Sequence, residues 1–133
     1  MTDSAQLDRP PAPDRGNCYS ARCPARAVLG HVTGRWGSLV LGALVGGTLR
    51  YSELRARIDG ISEKMLAQTL HALERDGLVV RRQHPAVPPR VDYTLTAAGS
   101  EVAQRVHGLI RWLEEHVGDF VDAQDAHDAV SNL

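Results

Sequence analysis

The apolar pattern of the sequence changes at Gly77. Before this residue, apolar side chains recur at helical spacing, and after it two short runs are β-branched or alternate between apolar and polar. Prolines at positions 85, 88 and 89 forbid a helix between the two runs. The sequence therefore predicts a mostly α-helical fold that carries one small antiparallel β-hairpin.

Two apolar helices are predicted near the start of this pattern. The first covers about residues 24–33, with Cys23 at the cap position and a proline in its first turn. Gly34 ends it. The second begins near Trp36 and stops at a pair of glycines. Residues 1–22 are rich in proline and have no apolar period, which is typical of a flexible N-terminal arm.

Two further helices follow, separated by a short turn that contains glycine. A short third helix opens at Tyr51, for which Ser52 is the expected cap. A fourth helix begins after Ser62, which is its expected cap, and its apolar positions are Leu66, Leu70 and Leu73. Two helices joined in this way form a helix-turn-helix.

A long last helix is predicted from about Ala97, with Thr96 as its cap. Its apolar side chains step by three or four residues, which is close to a heptad seam. Such a seam would leave an apolar stripe in water on a small domain, so it requires a partner. The residues expected at a dimer interface are Val106, Leu109, Leu113, Val117 and Phe120.

The formal net charge of −1 conceals an uneven distribution. Residues 24–100 hold ten Lys or Arg and six Asp or Glu, whereas residues 101–133 hold two Arg and seven Asp or Glu. A basic middle joined to an acidic tail is typical of a DNA-contacting module joined to a solvated helix, because only the face toward phosphate needs positive charge.

The fourth helix carries a polar stripe opposite its apolar positions. Lys64, Gln68, His71 and Arg75 fall on one side of the helical wheel. A helix that enters the major groove needs this arrangement, since Lys and Arg bind guanine edges or phosphates and Gln pairs with adenine. The alternative is an ordinary solvated helix face.

The hairpin is basic where a wing would contact DNA. Arg81, Arg82 and His84 lie on its first strand and Arg90 begins its second, with no acidic residue between Arg81 and Val91. Such side chains follow phosphates or enter the minor groove. The alternative is a charged edge that prevents strand-to-strand aggregation.

These segments together resemble the HxlR-type winged-helix transcriptional regulators, a bacterial group related in fold to MarR regulators. The resemblance covers about residues 23–120. It rests on Gly34-Arg35-Trp36, Gly47-Thr48-Leu49-Arg50-Tyr51-Ser52-Glu53-Leu54, Gly60-Ile61-Ser62-Glu63-Lys64-Met65-Leu66, Leu73-Glu74-Arg75-Asp76-Gly77-Leu78-Val79, Pro88-Pro89-Arg90-Val91-Asp92-Tyr93 and Leu95-Thr96-Ala97-Ala98-Gly99.

The resemblance implies a homodimer that binds a pseudo-palindromic operator in double-stranded DNA and is held together by its terminal helices. It divides the chain into an arm (1–22), a winged helix-turn-helix (23–96) and a dimerisation helix with its tail (97–133). Ala67 and His71 stand where the family commonly has threonine and arginine, so the base preference is expected to differ. The residues expected to contact DNA are Arg50, Ser62, Lys64, Gln68, His71, Arg75, Arg82, His84 and Arg90.

Two cysteines suggest a response to oxidants. Cys23 stands where the family often has a cysteine before proline, and in redox-sensing members that thiol is the sensor. A cysteine at a helix N-terminus faces free amide groups, which favours the reactive thiolate, and Cys18 would serve as the resolving thiol. The partner would be a small oxidant or electrophile. The alternative is that Cys23 is only a helix cap.

The sequence excludes several other classes of protein. No phosphate loop, nucleophile motif or paired carboxylates indicate an enzyme, and a zinc site from Cys18, Cys23 and His31 would lack a fourth ligand. We therefore expect no cofactor and no metal. No apolar run is long enough to span a membrane, and Met1 to Asp14 are polar, which predicts a cytoplasmic protein.

Two competing functions remain open at this point. One is a winged-helix module that binds proteins and not DNA, since a fold does not fix a function. The other is a small thiol oxidoreductase that uses Cys18 and Cys23, although the chain has no C-x-x-C motif.

Overall fold

The computed structural model describes residues 15–132, which form six α-helices and three β-strands. In chain order these are α1 (Pro24–Thr33), α2 (Arg35–Leu44), β1 (Leu49–Arg50), α3 (Tyr51–Arg57), α4 (Glu63–Arg75), β2 (Val79–His84), β3 (Arg90–Leu95), α5 (Ala97–Glu115) and α6 (Val117–Ser131). The predicted class, mostly α with a small antiparallel sheet, is confirmed.

The N-terminal part agrees with the sequence where it can be compared. Helix α1 begins at Pro24 and is followed by α2 after the single residue Gly34. Most of the predicted arm, residues 1–14, lies outside the described residues, and residues 15–22 form a series of turns. The proposed domain boundaries stay predictions.

Helices α3 and α4 form the predicted helix-turn-helix. Ser62 caps α4, because its Oγ accepts a hydrogen bond of 3.1 Å from the backbone N–H of Met65. The expectation that Ser52 caps α3 is wrong. The helix begins at Tyr51, so its cap position is Arg50, and the side chain of Glu53 accepts a bond of 2.9 Å from the N–H of Arg50.

The sheet has three strands and not only the two of the predicted hairpin. β3 lies in the middle, with β2 on one side and β1 on the other, and both pairs are antiparallel. β1 has only two residues, too few to produce an alternating pattern in the sequence. The tip between β2 and β3 has five residues, 85–89, because Arg90 already pairs with His84. We call β2, the tip and β3 the wing.

The predicted long last helix is two helices. α5 ends at Glu115, and His116 leaves the helical conformation, with φ −116° and ψ 17°. The ring of His116 stacks on Trp112 at 4.1 Å, and its Nδ1 bonds to the carbonyl oxygen of Trp112 at 2.8 Å. The apolar spacing continues unchanged across His116, so the sequence pattern did not indicate this break. Gly118, a weak helix former, lies two residues after His116.

The core lies where α2, α4 and α5 meet the sheet, and among the described residues its buried side chains are apolar. α2 crosses the middle and contacts α1, α4 and α5. The largest fully buried side chains are Val40, Leu41, Leu44, Leu54, Leu66, Leu70, Leu73 and Val79. No helix in the described part of the chain is long and apolar enough to cross a membrane.

Candidate nucleic-acid interface

Helix α4 is buried on one side and free on the other. Leu66, Leu70 and Leu73 fix it to the core, each with 1% or less of its surface exposed. Rotation by 100° per residue then turns the intervening positions outward. The four side chains of the predicted stripe, Lys64, Gln68, His71 and Arg75, are all exposed. Helix α4 is therefore anchored by its apolar face and leaves its polar face available to a partner, as a DNA-recognition helix requires.

The N-terminal end of α4 is held by α3. The hydroxyl of Tyr51 donates a bond of 3.0 Å to the carbonyl oxygen of Glu63, and Arg55 forms an ion pair of 2.9 Å with the Glu63 carboxylate. Partial burial, together with the Glu63 carboxylate, raises the pKa of Tyr51 above its usual value. The phenol thus keeps the proton that it donates. Ser62, expected to contact DNA, is the N-cap of this helix.

The outer face of the sheet gathers basic residues around one carboxylate. Asp92 on the central strand lies directly opposite Arg50 of β1 and Arg82 of β2. Residues directly opposite each other share a face of the sheet, and the pair His84 and Arg90 lies on the same face two residues further along. We call Arg50, Arg82, His84 and Arg90 the basic cluster. All four were expected to contact DNA, and the tertiary structure brings them together.

Asp92 binds two members of the basic cluster. Its Oδ2 lies 2.8 Å from Nε2 of His84, and its Oδ1 lies 3.4 Å from Nε of Arg90, an ion pair without hydrogen-bond geometry. The carboxylate side chain is only 14% exposed. Because Asp92 offsets part of the local repulsion, the basic side chains can lie close together in the folded protein.

An open groove of about 700 Å³ separates α4 from the wing. Arg50 and Arg90 line it, together with Ala67 of α4 and the tip of the wing. Arg81 also lines it, a residue named among the basic side chains of the hairpin but not among the nine expected DNA contacts, and so does Ser52. Arg81 is opposite Tyr93, whose side chain is buried against the helices, so the register of β2 turns Arg81 toward the groove. The sequence shows the charge of Arg81 but not this register.

The geometry of Cys23 differs from the expectation. Cys23 stands at the N-cap position of α1, but its side chain caps no amide. Its thiol donates instead to the carbonyl oxygen of Arg15 at 3.2 Å, and the residue is only 3% exposed. The turns of residues 15–22 thus cover the sulfur. Cys18 is half-buried, and both cysteines are free thiols.

The sequence model of the HxlR-like helix-turn-helix family matches residues 31–120, most of the chain. This chain belongs to that family. The match includes α2 to α5, the wing and the start of α6, so it spans every element described above as part of the interface. The resemblance inferred from the motifs is confirmed.

Regulators similar to this HxlR-family chain include one of known structure. The uncharacterised HTH-type transcriptional regulator YtfH of Escherichia coli K12 is 48% identical over 114 residues, which cover 86% of this chain and 90% of that protein. A solved structure of the proposed transcriptional regulator ytfH from Salmonella typhimurium is 47% identical, with a TM-score of 0.79, and the match covers 83% of this chain and 98% of that one. The chain is an HxlR-type transcriptional regulator, and these relatives are not enzymes.

One structural neighbour is described as a redox regulator. The redox regulator HypR, solved in its oxidised form, is 32% identical and has a TM-score of 0.64. The match covers 70% of this chain and 96% of HypR.

The HxlR-type chain leaves most of the predicted dimer residues uncovered. Leu109 and Val117 are each 58% exposed and Leu113 is 43% exposed, whereas Phe120 is partly covered and contacts Trp112. Val106 is buried in the core of the single chain. Every other residue of α6 apart from Phe120 is exposed.

No group of metal ligands occurs among the described residues of the HxlR-type chain. Of the three zinc ligands considered, His31 is bound through Nδ1 to Asp76.

Proposed function

We propose that this chain is a homodimer that binds a pseudo-palindromic operator by placing α4 in the major groove and the wing against the phosphates. The observation that carries the proposal is the polar face of α4, exposed beside an arginine-lined groove. Lys64, Gln68 and His71 would contact bases, because the N-terminal part of a recognition helix reaches deepest into the groove. The proposal places the protein with the DNA, in the cytoplasm.

The basic cluster and Arg81 would bind the sugar-phosphate backbone. Such contacts orient a protein on DNA and carry no base preference. Arg82 is exposed, and Arg50, Arg81 and Arg90 line the groove at the side of α4. Arg75 lies at the last turn of α4, so we assign it a phosphate on the flank of the major groove.

The homodimer would form through the exposed apolar side chains near the junction of α5 and α6. Leu109, Leu113 and Val117 are large apolar residues left in water by the single chain, and Trp112 lies among them, 51% exposed. A second copy would cover them on both protomers at once, because a two-fold interface pairs the same patch with itself.

Selection of duplexes from a random DNA pool tests this function. The protein should enrich a sequence with two inverted half-sites, and salt should weaken the binding steeply. Lys64→Ala combined with Gln68→Ala should reduce the preference for the enriched sequence by about tenfold or more. Arg82→Ala should weaken binding to all duplexes about equally and reduce the salt slope by about 1.

The matched control is Gln104→Ala combined with Arg105→Ala, an exposed pair on α5 that faces no part of the groove. It should bind as the parent protein does. If the parent protein enriches no sequence and its weak binding ignores salt, the chain is a protein-interaction module and the proposal fails.

We further propose that oxidants or electrophiles control this DNA binding through Cys23. HypR, a redox regulator of the same fold, supports this, as does the position of Cys23 on the helix that leads into the DNA-binding module. With diamide, the thiols of Cys18 and Cys23 would each give up a hydrogen to the N=N bond and form a disulfide, while diamide becomes the hydrazine. Because the Arg15 carbonyl and its turn cover the Cys23 sulfur, this segment has to move first.

A further inference from the structure

The turn between the recognition helix and the wing is a junction of three parts of the chain. From α1, Nδ1 of His31 lies 2.6 Å from Oδ2 of Asp76, the residue that ends α4. At the start of α5, Thr96 donates its hydroxyl to the carbonyl oxygen of Gly77 at 2.7 Å. Its backbone N–H donates to Leu78 at 3.1 Å. The C-terminal end of α4 is therefore bound from both sides.

The contact with His31 is partly buried, since the His31 side chain is 36% exposed. The Asp76 side chain is only 7% exposed, whereas the Arg55–Glu63 and Arg105–Glu101 pairs have both side chains largely in water. An ionised carboxylate accepts hydrogen bonds and cannot donate, so the hydrogen lies on Nδ1 of His31. A carboxylate shielded from water depends on such donors, which makes this pair stronger than an exposed one.

Helix α1 packs against α2, α4 and α5, and Gly37 of α2 lies directly against the carbonyl oxygen of His31. Val32 is its buried residue, and Val28 packs partly against the core. Apolar contacts of this kind permit sliding because they have no preferred direction. The His31–Asp76 hydrogen bond, in contrast, depends on the alignment of donor and acceptor. It joins residues 45 positions apart. It is thus a directional link between α1 and the C-terminal end of α4.

We propose that His31 is a positioning residue that makes this regulator selective for the distance between the two half-sites of its operator. The inference rests on the proposed function, a dimer that binds two half-sites at once. In such a dimer, the position of each α4 relative to the rest of its chain fixes the separation of the two recognition helices. His31 fixes α4 at the end that leads into the wing, without contacting DNA itself.

Operators of altered spacing test this inference. The sequence enriched by the parent protein is resynthesised with one or two base pairs inserted or removed between the half-sites, each step changing their separation by about 3.4 Å. The parent protein should bind one spacing best. His31→Ala should reduce the preference for that spacing over its neighbours by about tenfold, since the C-terminal end of α4 can then shift and accept several separations. Its preference for the half-site sequence should be unchanged.

Three further variants separate positioning from stability. Asp76→Asn should resemble His31→Ala, because it weakens the acceptor while keeping the size of the side chain. His31→Asn should restore the spacing preference, since its amide nitrogen can donate from nearly the position of Nδ1. Thr33→Ala is the control, because its hydroxyl donates to the carbonyl oxygen of Leu29 within α1. It should keep the profile of the parent protein.

The outcomes distinguish failure of this inference from failure of the proposed function on which it rests. If the parent protein enriches no two-fold sequence, the proposed function fails and the inference fails with it. If it does, and both His31→Ala and Asp76→Asn keep the parent spacing profile, only the inference is overturned. The same holds if these variants lose thermal stability and the folded fraction still binds with the parent profile, because His31 then serves stability alone.

Discussion

Gly99, in the first turn of α5, lies directly against the backbone carbonyl of Leu78. A Cβ atom on Gly99 would overlap with that carbonyl oxygen, and backbone cannot move aside as the end of a flexible side chain can. The residue is buried, and the neighbouring Thr96 bonds to the same turn. The closeness of α5 to the end of α4 therefore depends on the absence of a side chain at position 99.

Gly99→Ala should destabilise the protein by about 3 kcal/mol or more, because the overlap displaces α5 from the turn. Gly108→Ala is the control on the same helix, where no atom lies near the added Cβ. It should stabilise the helix by up to about 1 kcal/mol, as alanine does in place of glycine. Urea unfolding followed by circular dichroism measures both. Equal effects of the two substitutions would show that α5 does not need this close approach.

Asp92→Asn should raise the affinity for random DNA and lower the preference for the operator. Losing one negative charge amid the basic cluster strengthens the attraction to any duplex, so the affinity for random DNA should rise several-fold. The ratio of operator affinity to random affinity should fall, because His84 and Arg90 lose the carboxylate that orients them. Fluorescence anisotropy at several salt concentrations gives both values.

Asp125→Asn makes the same charge change on α6, away from the wing, and should alter neither value much. Asp92→Glu should keep the ratio nearer to that of the parent protein. If Asp92→Asn raises both affinities by one factor, Asp92 acts through its charge alone and does not position the cluster.

Leu113→Asp should convert the proposed dimer into monomers or make the protein insoluble. The substitution puts a charge into an apolar patch that two chains would bury, and a buried charge without a partner is costly. Sedimentation equilibrium gives the mass. Val87→Asp, at the exposed tip of the wing, is the control and should leave the mass unchanged. A Leu113→Asp protein that sediments as the parent dimer does would move the interface elsewhere.

Cys23→Ser should keep the protein on its operator in diamide, while the parent protein dissociates. Serine can donate to Arg15 as the thiol does, so the fold of residues 15–22 should survive. Cys18→Ser distinguishes disulfide formation from simple modification of Cys23. Mass spectrometry at short times should find Cys18 labelled by a thiol reagent before the more buried Cys23. Unaltered operator affinity after verified modification of Cys23 would make it a structural residue.

Short-range patterns were predicted well, as α4 demonstrates. Its start at Ser62, its buried leucines and its exposed polar stripe all follow from spacings within thirteen residues. The end of α5 at His116 was not predicted, because the stacking with Trp112 that accompanies the break leaves the apolar spacing unchanged. Ser52 was wrongly chosen as a cap because the helix already begins at Tyr51, where Glu53 accepts from the backbone N–H of Arg50.

Alternation and helical period depend only on neighbours along the chain, so the sequence by itself determined the helices of the helix-turn-helix, the wing and the polar face of α4. Contacts between distant residues decided the rest. The tertiary structure set Arg50, Arg82, His84 and Arg90 around Asp92, covered Cys23 with Arg15, and joined His31 to Asp76. Such contacts have no period in the sequence, because each arises only when the packed core brings separate elements within hydrogen-bond distance.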